Sequence, residues 1–346
     1  MSGSPQILVV GAGAIGGVTL AALHARGLAP TVLVRPGPTA TALGAGLVLR
    51  DVGAETRVPV RATTSLGPSD RYDLILLATQ PTEVEDAARQ VAAHLAPGGA
   101  VVVMQNGLCE RRVAQIVGDD AVLGAVVAFG ASVDAPGVVR RTSKGGVILG
   151  RPDGASDARL AALADALGPL GRVELTHDLL GTRWTKLALN SAISTLGTVG
   201  GDRVGPLIAR AFVRRLGLEI LSEAVVVARA EGVKMQRIAG TFDLDRVALT
   251  DADRAGPSPS LAIKHALVWV VGAKYRNLRS SMLRALEQGK PPAIDFLNGE
   301  VVSAASRHGL STPVNEAAVD AVRAFGAGAS SPSVEALERL FATTRG

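Results

Sequence analysis

The sequence predicts an α/β N-terminal domain built on a doubly wound, mostly parallel sheet, followed by an all-α C-terminal domain. Three observations carry this. Apolar, β-branched runs alternate with amphipathic helical segments through the first half of the chain. A glycine-rich turn joins the first strand pattern to the first helix. From about Leu179 the strand patterns nearly stop and helical periods take over. The expected domains are 1–178 and 179–346, within a chain of 346 residues that is 47% apolar and long enough for two cores.

The elements follow in order. Ile7-Leu8-Val9-Val10 is an apolar strand, and Val18 to Ala25 a helix of small residues. Thr31-Val32-Leu33-Val34 is a second strand, ending at Arg35. Leu47 to Arg50 and Arg57 to Arg61 read as a strand pair across Gly53. Asp73 to Ala78 is a buried strand. Thr82 to Leu95 is an amphipathic helix stopped at Pro97-Gly98-Gly99, and Ala100 to Met104 another buried strand. Leu108 to Val117 is helical, Ala121 to Ala128 and Val138 to Leu149 are extended, Ala155 to Leu167 is a helix, and Arg172 to Leu175 a short strand. Helices then cover 180–198, 206–230, 235–249, 260–287, 293–308, 314–325 and 333–342, with Gly309 to Pro313 a clear stop.

The turn after the first strand is Gly11-Ala12-Gly13-Ala14-Ile15-Gly16, a G-x-G-x-x-G pattern in strand–turn–helix context. Gly11 permits the tight turn, Gly13 lets backbone approach a pyrophosphate, and Gly16 lets helix and strand pack closely. The N–H groups of the helix start, Ala14 and Ile15 among them, face the anion. The fold expected is therefore Rossmann-like, with a bound dinucleotide. The residue ending the second strand faces the adenosine ribose. An acid there favours NAD; Arg35 instead offers a charged fork to a 2′-phosphate, which points to NADP. A merely solvated strand-end charge is the alternative for Arg35.

Composition narrows the rest. The formal net charge is +5, but basic residues are dispersed among acids without a run of five or six, so a small anionic ligand is expected rather than a nucleic acid. Cys109 is the sole cysteine, which excludes an intrachain disulfide and points to a reducing, cytoplasmic setting. The N-terminus lacks the basic and apolar regions of a signal peptide, and no uncharged apolar stretch is long enough to span a membrane. The five histidines are scattered and no Cys/His cluster has metal-ligand spacing, so no metal is expected.

Trp184 to Ser194 is the second informative segment. Lys186, Asn190 and Ser194 recur every four residues, so on a helix they share one face. Such polar groups are costly to bury without partners; a lysine kept in water at a domain edge meets the same spacing. In open parallel sheets, ligands sit beyond the carboxyl ends of the strands where strand order reverses. Thr79 and Gln80 follow one buried strand and Asn106 another, so these residues are expected to edge the nicotinamide, although Asn106-Gly107 also suits a turn. If the first helix of the second domain closes over that edge, Lys186 faces a substrate carbonyl. Its ammonium can stabilise the oxyanion built by hydride addition and donate the proton. Asn106 and Asn190 are placed to orient them.

With these residues in view, the sequence resembles the ketopantoate reductase family over nearly its whole length. The anchors are Gly11 to Gly16, Arg35, Gln105-Asn106-Gly107, Lys186-x-x-x-Asn190, Ser280-Ser281-Met282-Leu283 and Ile294-Asp295-Phe296-Leu297-Asn298-Gly299. The resemblance implies NADPH-dependent reduction of a 2-oxo acid to a 2-hydroxy acid, 2-dehydropantoate first among substrates, with the lysine matching Lys186 as general acid. It implies that Asn106, Asn190 and Ser281 contact cofactor or substrate, and it adds Ser194 to the substrate side. Three positions depart from the family pattern: Gln80 stands for a lysine, Ser194 for a second helical asparagine, and Ala293 for a glutamate that Glu287 or another acid could replace through a loop shift. The region 240–275 is also longer than in compact members. A hydrogen bond to a buried charge is worth about 1.5–3 kcal/mol, enough to change substrate choice. The departures therefore leave open a hydroxy-acid dehydrogenase for a different or bulkier 2-oxo acid, or a non-catalytic NADP-binding sensor. Ser280-Ser281, expected near a helix end, can also simply bond local backbone. A helical domain with this much apolar surface often pairs with its own copy, so a homodimer is among the expectations.

Overall fold

The computed structural model describes residues 5–51, 53–238 and 243–345. The chain divides into two compact units, Met1–Leu180 and Gly181–Gly346.

In the first unit the strands are β1 (Ile7–Val10), β2 (Thr31–Leu33), β3 (Leu47–Asp51), β4 (Ala54–Val58), β5 (Arg61–Thr63), β6 (Tyr72–Leu77), β7 (Leu95–Val103), β8 (Val122–Val127), β9 (Gly130–Ala135), β10 (Val138–Ser143), β11 (Val147–Gly150) and β12 (Val173–Leu175). Its helices are α1 (Ala14–Ala25), α2 (Pro38–Leu43), α3 (Val84–Ala92), α4 (Glu110–Val117) and α5 (Ala158–Leu167). Among the described residues, an eight-stranded sheet runs β12-β11-β8-β7-β6-β1-β2-β5. Every neighbouring pair is parallel except β8 with β11. β1 sits centrally, with Val9 opposite Val32 on one side and Leu76 on the other. It is buried throughout, as continuous apolar strands of parallel sheets are. Strand order reverses at β1 and β6, the position at which open parallel sheets bind ligands.

A second sheet, β4-β3-β10-β9, accounts for the expected strand pair across Gly53 and adds two strands to it. The segment Val138 to Leu149, expected as one extended run, is two strands in different sheets. α1 packs on β10 as well as on the main sheet. A Cβ on Gly17 would lie 2.6 Å from Val139. Residues 16–23 of α1 are therefore all buried, as a helix apolar all round requires. The helix expected over Thr82 to Leu95 is shorter. A 3-10 turn covers Pro81–Glu83, α3 ends at Ala92, and Leu95 already belongs to β7. β7 carries Pro97-Gly98-Gly99 in an irregularity against β6, where Tyr72 pairs with Leu95 but Leu74 with Ala100. The proline, lacking an N–H, sits where the ladder is interrupted.

The second unit is helical: α6 (Leu179–Val199), α7 (Val204–Ile208), α8 (Ala211–Ala230), α9 (Leu244–Val247), α10 (Asp251–Ala255), α11 (Pro259–Lys274), α12 (Ser281–Glu287), α13 (Asn298–Arg307), α14 (Pro313–Gly326) and α15 (Val334–Ala342). Four expected helices are corrected. The one over 206–230 is interrupted at Arg210, whose extended backbone separates α7 from α8, and the one over 293–308 opens as a 3-10 turn, Ala293–Phe296, and breaks at Leu297 before α13. Residues 235–238 are not helical, because their backbone bonds elsewhere: Gln236 N–H donates to Gly181 O (3.3 Å) and Gln236 O accepts from the Thr185 hydroxyl (2.7 Å). Residues 239–242 of that expected helix lie outside the described residues. The expected helix 260–287 is broken between α11 and α12. There Leu278 O and Arg276 O accept from the N–H groups of Val204 and Gly205 at 3.0 Å each, so these carbonyls serve another segment instead of a further helical turn.

Two buried polar networks hold this unit. Asn298 donates to Asn315 Oδ1 (2.9 Å) and accepts from the Thr195 hydroxyl (3.0 Å), tying α6, α13 and α14 together. The Asp253 carboxylate, fully buried, accepts from Lys264 Nζ (2.5 Å), Ser258 (2.8 Å) and Thr250 (2.9 Å). Burial pushes the Asp253 carboxyl up, but Lys264 and the hydroxyl donors outweigh it and hold the group well below the usual range. Its stabilisation is thus present above the unfolded carboxylate pKa and is lost as pH falls toward the lower folded value. Asp253→Asn leaves an ammonium buried without its counter-charge and should cost about 3–5 kcal/mol at pH 7 in denaturant melts. The difference from wild type should narrow below about pH 4; a difference near zero at neutral pH would refute the role assigned to the pair.

Candidate active site

In the first unit the site is built at the carboxyl ends of β1, β2, β6 and β7. Gly11 has φ +96°, a conformation natural to glycine, and its N–H donates to Leu33 O (2.9 Å). A Cβ on Gly11 would lie 3.2 Å from Ala78 O, so a side chain here would press on the end of β6. Gly16 is more constrained: a Cβ would stand 2.0 Å from Gly11 O. Gly13 differs from both. It is the exposed N-cap of α1, has no side-chain cap, and a Cβ on it would meet nothing within 4 Å. Space therefore opens in front of a helix N-terminus, where backbone N–H groups and the helix dipole favour an anion. Ala14 and Ile15 form the first helical residues, both half-buried.

Arg35 follows β2, with its side chain 83% exposed, and meets Glu83 at 3.0 Å. Thr79 follows β6 and accepts from Gln105 Nε2 (3.1 Å), which joins the ends of β6 and β7. Gln80 is exposed and leads the turn Pro81–Glu83; its N–H donates to Glu83 Oε2 (3.4 Å). Asn106 is half-buried, and its carbonyl accepts from the buried Cys109 thiol (3.4 Å), with Gly107 at φ +91°. Asn106-Gly107 is thus a turn at a strand end. Glu83 and Gln105 were not among the site residues expected. Q-x-x-E around a proline is a capping-box signal that marks Glu83 as part of the turn, but no local signal pairs it with Arg35.

In the second unit α6 carries Lys186, Asn190 and Ser194 at one-turn spacing, all half-buried. Trp184, Leu187 and Ala188 are buried and turn the other sides of the helix into the core. Ser280 is the N-cap of α12, accepting from Met282 N–H (3.2 Å) and meeting the Thr198 hydroxyl at 2.8 Å. Ser281 is therefore the exposed first residue of a helix rather than the end of one. Its neighbour is anchored one turn beyond Ser194 on α6. The remaining motif is structural in part. Asn298 is buried in the core network and Asp295 is bound by Arg323 (2.7 Å). Glu287, considered for the role of the missing glutamate, is paired with Arg279. Among the described residues no group of three or more His, Cys, Asp or Glu could hold a metal, and no helix is long and apolar enough to cross a membrane.

The residues of the first unit fit a dinucleotide. The open N-terminus of α1 suits its pyrophosphate, Arg35 the adenosine side, and Thr79, Gln80 and Asn106 the strand ends beyond. An open helix N-terminus at the reversal of a parallel sheet is the arrangement of a dinucleotide-binding fold, and a helical unit follows it in the chain. Residues 7–154 match the model described as "Ketopantoate reductase PanE/ApbA", and residues 178–326 match "Ketopantoate reductase PanE/ApbA C terminal". The chain belongs to the ketopantoate reductase family, whose members are oxidoreductases acting on CH–OH groups. It is 26% identical over 313 residues to 2-dehydropantoate 2-reductase of Pyrococcus abyssi (90% of this chain, 94% of the relative). It is 28% identical over 318 residues to the enzyme of that name from Mycobacterium tuberculosis (90% and 95%). A PanE/ApbA family ketopantoate reductase from Ralstonia eutropha superposes with TM-score 0.77 at 25% identity, covering 93% of this chain and 99% of that one. A D-mandelate dehydrogenase bound to NADH and anilino(oxo)acetate shares the fold, with TM-score 0.78 at 19% identity over 93% of this chain and 98% of that one.

The glycine geometry separates stability from binding. Gly16→Ala should destabilise the protein by about 3 kcal/mol or more, because the methyl meets backbone. Gly13→Ala should cost about 1 kcal/mol of stability yet weaken dinucleotide binding by about tenfold or more. Thermal melts with fluorescence titration decide this; unaltered binding in Gly13→Ala would place the dinucleotide elsewhere.

Proposed function

We propose that this chain reduces a 2-oxo acid to the 2-hydroxy acid with NADPH, with 2-dehydropantoate the first substrate to test. The observation that carries the reading is the Lys186, Asn190 and Ser194 face of α6, in a chain whose curated relatives are named 2-dehydropantoate 2-reductase. When bound, NADPH supplies a hydride to the carbonyl carbon. Lys186 holds the carbonyl oxygen, stabilises its growing negative charge and delivers the proton that completes the hydroxyl. Asn190 and Asn106 orient the ammonium and the substrate, and Ser194 and Ser281 contact the substrate's polar groups. Gly11, Gly13, Ala14, Ile15 and Gly16 receive the pyrophosphate, Arg35 the 2′-phosphate, and Thr79 and Gln80 the nicotinamide edge. Residues 1–178 then bind NADP, and 179–346 bind substrate and pair with a second copy, a role that exposed Ile263, Trp269 and Val270 on α11 support. A cytoplasmic enzyme is the setting that fits a lone, buried cysteine.

A second reading, a hydroxy-acid dehydrogenase for a bulkier 2-oxo acid, is favoured by one set of observations. Gln80, Ser194 and Ala293 replace longer or charged groups, and Glu287 is held by Arg279. A panel of 2-oxo acids assayed with NADPH separates the two, since dominant turnover of 2-dehydropantoate removes the second. Lys186→Ala should lower kcat by about 10²–10⁴-fold while the Kd for NADPH stays within about twofold. Undiminished turnover in that variant would overturn the mechanism.

A further inference from the structure

We propose that Glu83 sets the nucleotide preference of this chain, occupying Arg35 when no 2′-phosphate is present and thereby compressing the preference for NADPH over NADH. The inference rests on the reading that Arg35 faces the adenosine ribose. The Arg35 guanidinium lies 3.0 Å from Glu83 Oε1. The other carboxylate oxygen, Oε2, accepts from Gln80 N–H (3.4 Å), so the acid is held by the turn that leaves β6. Pro81 fixes the backbone at the start of that turn. Glu83 is therefore placed by its own loop beside Arg35, not swept there by a flexible chain. The charged residues that follow in the chain are engaged with one another. Gln80, leading the same turn, is neutral, while Arg89 and Arg112 are both engaged by Glu85.

The consequence is chemical. A 2′-phosphate approaching Arg35 meets a cation already partnered and a carboxylate that repels it. The phosphate carries nearly two negative charges, so the penalty exceeds that for a single charge. A ribose with a free 2′-hydroxyl meets the reverse. A carboxylate beside Arg35 can accept from that hydroxyl, the part played in NAD-selecting members of this type of fold by an acid at the end of the second strand. The ends of β2 and β6 thus present a cation for one nucleotide and an acceptor for the other.

Glu83→Gln keeps the length of the side chain and an oxygen for the Gln80 N–H, but removes the charge. Fluorescence titration of the full chain with NADPH and NADH should show NADPH binding tightened by about threefold, with NADH unchanged or weaker. The gain should shrink in 0.5 M salt, roughly the range where exposed charges are screened. Glu83→Ala, which also loses the turn contact, should shift the NADPH/NADH ratio in the same direction. A ratio that moves less than about twofold in both variants, or equal changes for both nucleotides, would reduce Glu83 to a turn-forming residue and overturn the proposal. Binding of neither nucleotide by the native protein would overturn the cofactor reading and this inference together.

Discussion

The Gly16 position on α1 comes within 2.0 Å of Gly11 O, measured from where a side chain would begin. That approach of helix to strand governs the first unit. It fixes α1 at the end of β1, directs its N-terminus outward at Gly13, and leaves Gly11 against Ala78 at the end of β6. Two strand ends and one helix end thereby converge at the reversal of the sheet. α1 can make this approach only because it is lined with small residues. It is then enclosed from behind by the second sheet, where Gly17 meets Val139. The open helix end follows from packing: close contact requires glycine at position 16, and Gly13 at the start of α1 leaves open space in front of the helix.

The chemistry assigned to the second unit depends on a different constraint. α6 must bury Trp184, Leu187 and Ala188. With 3.6 residues per turn, this sends Lys186, Asn190 and Ser194 to another side. A single helix therefore serves as core and as carrier of polar groups. The buried Asn298 accepts from Thr195 of α6 and donates to Asn315, and the Glu223 carboxylate accepts from the N–H groups of Val314 and Asn315 at 2.9 Å, which ties α8 to the same cluster. Placement of the candidate groups is thus supported by a buried hydrogen-bond network behind them.

Much of this was legible in the sequence, because its causes are local. Strand, turn and helix around Gly11 to Gly16 are neighbours in the chain, and a four-residue repeat suffices to put Lys186 and Asn190 on one face. What escaped depends on distant partners. The split of Val138 to Leu149 between two sheets, and the burial of α1 on both sides, require knowing that β10 pairs with β3. The non-helical course of 235–238 is set by Thr185 and Gly181, some fifty residues earlier, and the break before α12 by Val204 and Gly205. Helical periodicity is no guide where backbone groups are claimed by another segment. The pairing of Arg35 with Glu83 belongs to the same class, since it joins the ends of two strands that lie on either side of β1.

The reaction as proposed requires a hydride donor held by the first unit and an ammonium carried by the second to act on one carbonyl. The most direct measurement is a crystal structure of the complex with NADP and a 2-oxo acid. The account predicts Lys186 Nζ at hydrogen-bond distance, about 3 Å, from the oxygen of the 2-oxo group, with the nicotinamide on the face of that carbonyl. An ammonium turned away from the carbonyl, with both ligands seated, would contradict it.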